Sequence, residues 1–180
     1  VDGISAVLAK AAKDFATIGT IDEDDTEQQK STFQEAHQTA GRRSAPLATE
    51  HGQVVDRKNW RVMMAFHLAE SKEQARNEAV DGLQRWHNEY NVRVLGRPGA
   101  VHVENPWELM DQVAESGASG GGAAVVGTPD DLIDAIHRLQ HVTGGFGAVL
   151  GFAHDWANPE ATRRSWDLVA RYVVPRLNGF

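Results

Sequence analysis

The sequence predicts a parallel α/β fold built from strand–helix units. Three observations carry that expectation. Residues 60–66 and 146–152 are nearly continuous apolar runs, as strands buried on both faces of a parallel sheet require. Residues 15–21 form a third short run, rich in β-branched side chains, which favour strands. Helical patterns lie between these runs, and such alternation argues for parallel βα units.

The elements follow in order. Ile4, Val7, Leu8 and Ala11 fall at helical spacing, with one face to bury. Lys10 and Lys13 close that helix, where cations suit its dipole. After the strand at 15–21 comes an acidic stretch, 22–25, then a polar helix over about 26–40 that Gly41 stops. The strand at 60–66 leads to a helix that Ser71 opens, with Gln74 three residues on as in a capping box. Its apolar stripe is Ala75, Ala79, Leu83, Trp86 and Tyr90. Residues 91–104 carry Gly96, Pro98 and Gly99 and read as a loop.

Three further helices share one opening: Asn105-Pro106, Thr128-Pro129 and Asn158-Pro159. Each offers a capping side chain followed by proline at the first helical position, where the missing N–H costs nothing. Glu108, Asp131 and Glu160 follow near the positive helix ends. The glycine-rich stretch 115–122 reads as a flexible connection. No Lys-Ser/Thr follows its last glycine, so it is not a phosphate-binding loop. Residues 91–122 together are expected to form a mobile, lid-like insertion. Gly144-Gly145 breaks the next helix ahead of the strand at 146–152. Trp166, Val169, Tyr172 and Val173 line the inner side of the last helix, whose extension Pro175 limits.

Composition narrows the function classes. With 180 residues, 41% of them hydrophobic and 24% charged, the chain can bury a core without a disulfide or metal staple. It has no cysteine, which excludes disulfides, thiolate metal sites and a cysteine nucleophile, and fits a reducing, cytoplasmic setting. A net charge of −7 argues against general nucleic-acid binding. No apolar run approaches the roughly 20 residues of a membrane span. The first residue is Val1 rather than Met, so the chain is expected to start inside a longer protein.

Several motifs, in order, resemble the bacterial luciferase-like flavin-dependent monooxygenases. Gly127-Thr-Pro-Asp-Asp-Leu-Ile-Asp-Ala-Ile136 is similar to the GTP-acid-helix signature near the end of that family. Gly144-Gly-Phe-Gly-Ala-Val-Leu-Gly-Phe-Ala-His-Asp-Trp-Ala157 resembles its final barrel strand and following loop. Residues 160–175 resemble its closing helix, while 55–62 and 67–75 resemble its penultimate strand and helix. The limonene monooxygenase branch is the nearest likeness, over roughly 54–177. The resemblance implies a (β/α)8 barrel that binds reduced flavin mononucleotide (FMN), or the deazaflavin coenzyme F420 in some branches, and oxygenates a small apolar substrate with O2. It also implies a separate flavin reductase. A full barrel takes about 250 residues and at least about 200. This chain is therefore expected to be the C-terminal portion of one, a single domain with about three parallel strands, lacking its N-terminal half or completed as a homo-oligomer.

Barrel active sites lie at the C-terminal ends of the strands. His67 follows one apolar run, and His154, Asp155 and Trp156 follow another. His67 and His154 are the candidate catalytic residues, able to hydrogen-bond the flavin or move a proton near neutral pH; a packed, backbone-bonded histidine is the competing reading. Trp156 is a candidate cofactor-binding wall. The resemblance further places the flavin phosphate near Gly3 and Ser5, at a helix N-terminus, although Asp2 there would repel it. A metal is not expected: His67/Glu70 and His154/Asp155 lie on separate loops, and no His-Glu-x-x-His occurs. A Ser-His-Asp hydrolase is set aside. The alternative to an enzyme is a non-catalytic flavin-binding or subunit-pairing protein with a truncated barrel.

Overall fold

The structure, a computed structural model, describes residues 49–52, 54, 56–97, 99–119, 122–152 and 154–179. The helices expected near 4–11 and 26–40, the strand at 15–21, and Gly3 and Ser5 lie outside the described residues. Internal contacts divide the chain into two units, Val1–Asp56 and Arg57–Phe180. In the first, the described residues make a turn closed by the Gly52 N–H on the Thr49 carbonyl at 2.9 Å.

The second unit runs β1 (Arg61–Leu68), α1 (Lys72–Arg85), a π-helical continuation (Trp86–Val94), α2 (Pro106–Ser116), β2 (Ala118–Ser119), β3 (Gly122–Gly127), α3 (Pro129–Thr143), β4 (Ala148–Phe152), α4 (Pro159–Leu168), a second π-helical stretch (Val169–Val173) and α5 (Val174–Asn178). The sheet order is β2-β3-β1-β4. β1 pairs in parallel with β3, from Met64 opposite Ala123 to Leu68 opposite Gly127. On its other edge it pairs in parallel with β4, from Arg61 opposite Ala148 to Ala65 opposite Phe152. The two-residue β2 runs antiparallel to β3.

Three parallel strands are thus present among the described residues, and one of them, β3, is absent from the sequence reading. Its residues are Gly-Ala-Ala-Val-Val-Gly, small and flanked by glycine, so they lack the bulky branched run that marks the other two strands. What makes β3 a strand is its ladder with β1.

Because successive strand residues point to opposite faces, β1 feeds two cores. Ala65, with Ala124 of β3, packs under Ala79, Val80 and Leu83 of α1 and Leu109, Met110 and Val113 of α2. Met64 and Leu68 pack under Leu132, Ile133 and Ile136 of α3 and Val173. Helices therefore cover both faces. A (β/α)8 barrel instead carries its helices as one outer ring. β1 and β4 lie side by side as successive barrel strands do, but β3 takes the other edge of β1. The described unit is a mixed α/β sheet. Helix α2, inside the 91–122 stretch, contributes three buried apolar residues to it.

The helix boundaries follow their caps. The Ser71 hydroxyl accepts from Gln74 N at 3.2 Å, Asn105 Oδ1 from Trp107 N at 3.1 Å and Asn158 Oδ1 from Ala161 N at 2.9 Å. Thr128 and Asp131 complete a reciprocal capping box. Two ends differ from expectation. Residues 91–94, expected in a loop, extend α1 as its π-helical continuation. Pro175 does not end the last helix; it sits in the first turn of α5, after the second π-helical stretch, where proline's missing N–H is least costly.

Candidate active site

Two histidine clusters stand near the C-terminal ends of β1 and β4. Register places Phe152, the last residue of β4, beside Ala65 on the α1-facing side of the sheet. The chain leaving β4 carries His154 and Trp156 against the C-terminal part of α1 and its continuation. The His154 ring lies 5.4 Å from Phe152, 5.1 Å from Trp156 and 4.5 Å from Trp86, centre to centre. Trp86 in turn stands edge-on to Trp156 at 5.9 Å and stacks on Tyr90 at 6.5 Å. Such offset and edge-to-face contacts add to simple burial.

Gly82 makes this packing possible. A Cβ there would lie 2.1 Å from the Trp156 carbonyl oxygen, so only glycine lets α1 approach that backbone. Trp156 is 2% exposed, and its indole N–H is buried without a partner. Asp155 faces outward and binds Arg85 through its carbonyl, at 3.0 Å, and its carboxylate, at 3.3 Å. Burial pushes the His154 pKa below that of an ordinary histidine, and the Asp155 charge only partly opposes it. The imidazole is therefore neutral at pH 7.

His67 has different surroundings. It is 3% exposed on β1, with Nε2 2.9 Å from Glu78 Oε2. The other oxygen of Glu78 accepts from Arg164 at 2.6 Å and from Gln74 at 2.9 Å. Burial pushes the Glu78 carboxyl up, but hydrogen bonds from Gln74 and His67 and the Arg164 charge outweigh it, and its pKa is lowered. Next along the strand, the Leu68 N–H donates to Ser165 Oγ at 2.9 Å in the interior. Arg164 also borders a cleft of about 680 Å³ whose lining includes Thr128, Asp167, Arg171 and Arg176.

The structure thus brings His154 and Trp156 together and sets His67 in a separate ion-paired network. No hydrogen bond or ring contact joins the two histidines. Sequence reasoning missed Glu78, Gln74 and Arg164. The four-residue spacing of Gln74 and Glu78 puts both on one face of α1, but nothing local points from there to β1. It also took Trp86 and Tyr90 as ordinary core positions and Phe152 as strand. Among the described residues, no three His, Asp or Glu side chains gather as metal ligands do, and no helix is long and apolar enough to cross a membrane. Gly117-Ala-Ser-Gly-Gly121 does have the Gly-x-Ser-x-Gly spacing of a hydrolase elbow. Its Ser119 lies in β2, paired antiparallel with β3, and not at the strand-to-helix turn that exposes such a nucleophile.

No family model matches the chain. It is 44% identical over 132 residues to 4-hydroxyprotoasukamycin monooxygenase of Streptomyces nodosus subsp. asukaensis, covering 73% of this chain and 34% of that protein. It is 38% identical over 133 residues to limonene 1,2-monooxygenase of Rhodococcus erythropolis, covering 74% of this chain and 32% of that protein. The chain is homologous to part of these monooxygenases. It spans about a third of the length of these two curated relatives. Among solved structures, it is similar to a type II Baeyer–Villiger monooxygenase in complex with FMN, the oxygenating constituent of 3,6-diketocamphane monooxygenase from Pseudomonas putida. That match has a TM-score of 0.54 at 21% identity and covers 79% of this chain and 40% of the other, a likeness of fold.

Proposed function

We propose that this chain is part of a flavin-dependent monooxygenase that oxygenates a small apolar molecule with O2, working in the cytoplasm beside a separate reductase. The observation that carries the reading is the 44% identity to a monooxygenase over 132 residues. In the whole protein, β1 and β4 would be successive strands of a (β/α)8 barrel, and residues on either side of α2 would help close the site. FMN is the favoured cofactor, given the flavin bound by the similar fold, with a deazaflavin as the other candidate.

The residues present fit a flat heteroaromatic ring. Phe152 is exposed and His154 and Trp86 are half-buried, so these three rings can meet a ligand ring, and beneath them the Trp156 N–H is a buried donor in want of an acceptor. Leaving such a donor unpaired costs about 1–3 kcal/mol, which a ligand carbonyl or ring nitrogen would recover. When bound, the flavin supplies the redox chemistry. The chain's own part is to hold the ring, exclude water around it with the α1 face, and keep at His154 Nδ1 or Nε2 a neutral imidazole able to take or give a proton. For the phosphate, Gly3 and Ser5 are candidates by sequence resemblance alone, and they lie outside the described residues.

A fluorescence titration with FMN tests this reading. Saturable quenching is expected in the wild type, with weaker affinity in Trp156→Phe, which keeps the ring stacking but loses the donor. Absence of quenching by the wild-type chain would remove flavin binding from it.

One observation favours a second, non-catalytic reading. Met63, Leu150 and Phe152 are 57%, 48% and 44% exposed on one side of β1 and β4, and β4 has a single strand neighbour among the described residues. Exposed apolar faces and open edges invite pairing. A chain that stays monomeric in sedimentation at high concentration would sink that reading.

A further inference from the structure

We infer that Glu78 is a positioning residue for His67. Its carboxylate, fixed by Arg164 and Gln74, keeps a proton on His67 Nε2 and so sets the ring's tautomer and orientation. The inference rests on the reading above only in treating His67 as a site residue.

The geometry is specific. Glu78 Oε2 faces His67 Nε2 at 2.9 Å, and Oε1 faces two donors, Arg164 at 2.6 Å and Gln74 at 2.9 Å. Both oxygens are therefore committed, and the carboxylate cannot rotate without losing a charge-assisted bond. An ionised carboxylate only accepts, so Nε2 must carry the hydrogen whether the ring is neutral or charged. The supports come from three elements. His67 stands on β1, Gln74 and Glu78 lie one turn apart on α1, and Arg164 reaches in from α4, where Glu160 also holds it at 3.7 Å. The imidazole is buried, so water does not compete for Nε2. This is the arrangement by which a carboxylate fixes a histidine's tautomer and ring orientation. Arg164 borders the 680 Å³ cleft, so a ligand in that cleft that drew Arg164 away would loosen the same carboxylate.

The test is nitrogen NMR of the full 180-residue chain labelled in its histidine rings, with His67 assigned by loss of its signals in His67→Gln. In the wild type, Nε2 is expected to show the shift of a protonated ring nitrogen. In Glu78→Gln the carboxamide can present its NH2 to Nε2, so the ring should shift to a mixture of tautomers. Gln74→Ala should keep the wild-type tautomer, because Arg164 remains. A wild-type ring with its proton on Nδ1 and Nε2 bare overturns the inference, even if neither Glu78→Gln nor Gln74→Ala folds. A folded Glu78→Gln with unchanged tautomer overturns it too. Neither readout involves flavin, so failure here is distinct from failure of the FMN titration.

Discussion

The imidazole of His154 lies against the indole of Trp156, 5.1 Å between ring centres and 19° from parallel, while Asp155 between them in sequence turns out to Arg85. A half-buried ring between aromatic faces and an outward carboxylate act oppositely on the same proton. Burial dominates and lowers the His154 pKa; Asp155 raises it. In proton NMR, His154 is expected to titrate below the roughly 6.5 of a free histidine, and Asp155→Asn should move it lower still. The linkage has a definite sign. The unfolded chain takes this proton first as pH falls, so the His154 contribution erodes from about pH 6.5 down to the folded pKa and is absent as a penalty above that range. His154→Phe should flatten that part of a stability–pH curve measured by urea unfolding. A His154 resonance titrating at or above the free value would contradict the burial argument.

The contact between Gly82 and Trp156 decides a second expectation. Glycine-to-alanine within a helix ordinarily stabilises by about 1 kcal/mol. Here the new Cβ would sit 2.1 Å from a backbone oxygen and 2.6 Å from the Trp156 Cα, atoms that no rotamer change can move. Overpacking costs about 1–3 kcal/mol and sometimes more, so the net effect should be a lower urea midpoint. Displacing Trp156 should also alter its fluorescence. An unchanged midpoint and emission would show that α1 does not press on the 154–156 segment.

Much of this architecture is legible from local chemistry. Asn105, Thr128 and Asn158 announce their helices because cap and proline act within a few residues of each other. The strands β1 and β4 announce themselves through long apolar runs. β3 does not, because Ala123, Ala124, Val125 and Val126 gain their strand character from pairing with β1. Sheet order is hidden for the same reason: no residue in β3 records which edge of β1 it takes. At the candidate site, His154 and Trp156 could be paired from two-residue spacing after a strand. His67 could be found, but its partners could not. Glu78 is 11 residues away and Arg164 lies on another helix, so the network exists only once α1 and α4 are docked.

Ser165 gives a third prediction. Its hydroxyl accepts the Leu68 N–H at 2.9 Å, in the interior. Ser165→Ala is nearly isosteric, so packing is kept while the amide loses its acceptor. The expected cost is about 1–3 kcal/mol, with fast hydrogen exchange appearing at Leu68. Ser165→Thr, which keeps the oxygen, should recover the protection unless its methyl group clashes. A protected Leu68 amide in the alanine variant would mean another acceptor serves it.

The capping box at α3 couples stability to acid. Thr128 Oγ1 donates to Asp131 Oδ2 at 2.8 Å, the Thr128 N–H donates to the same oxygen at 2.9 Å, and Lys72 sits 2.8 Å from the other oxygen. Burial pushes Asp131 up, yet the bonds from Lys72 and Thr128 outweigh it and lower its pKa. A carboxylate held below its unfolded value, about 3.9, stabilises the fold fully above that value and loses its contribution as pH falls through the folded one. Thr128→Ala removes the side-chain donor and the cap on Asp131 N but spares the backbone bond. It should cost about 1 kcal/mol at neutral pH and bring acid unfolding on at a higher pH. Lys72→Ala removes an exposed partner and should cost less at neutral pH, since solvent screens a surface ion pair, while shifting acid unfolding in the same direction. If Thr128→Ala unfolded at the wild-type pH and urea midpoint, the box would be geometry without energetic weight.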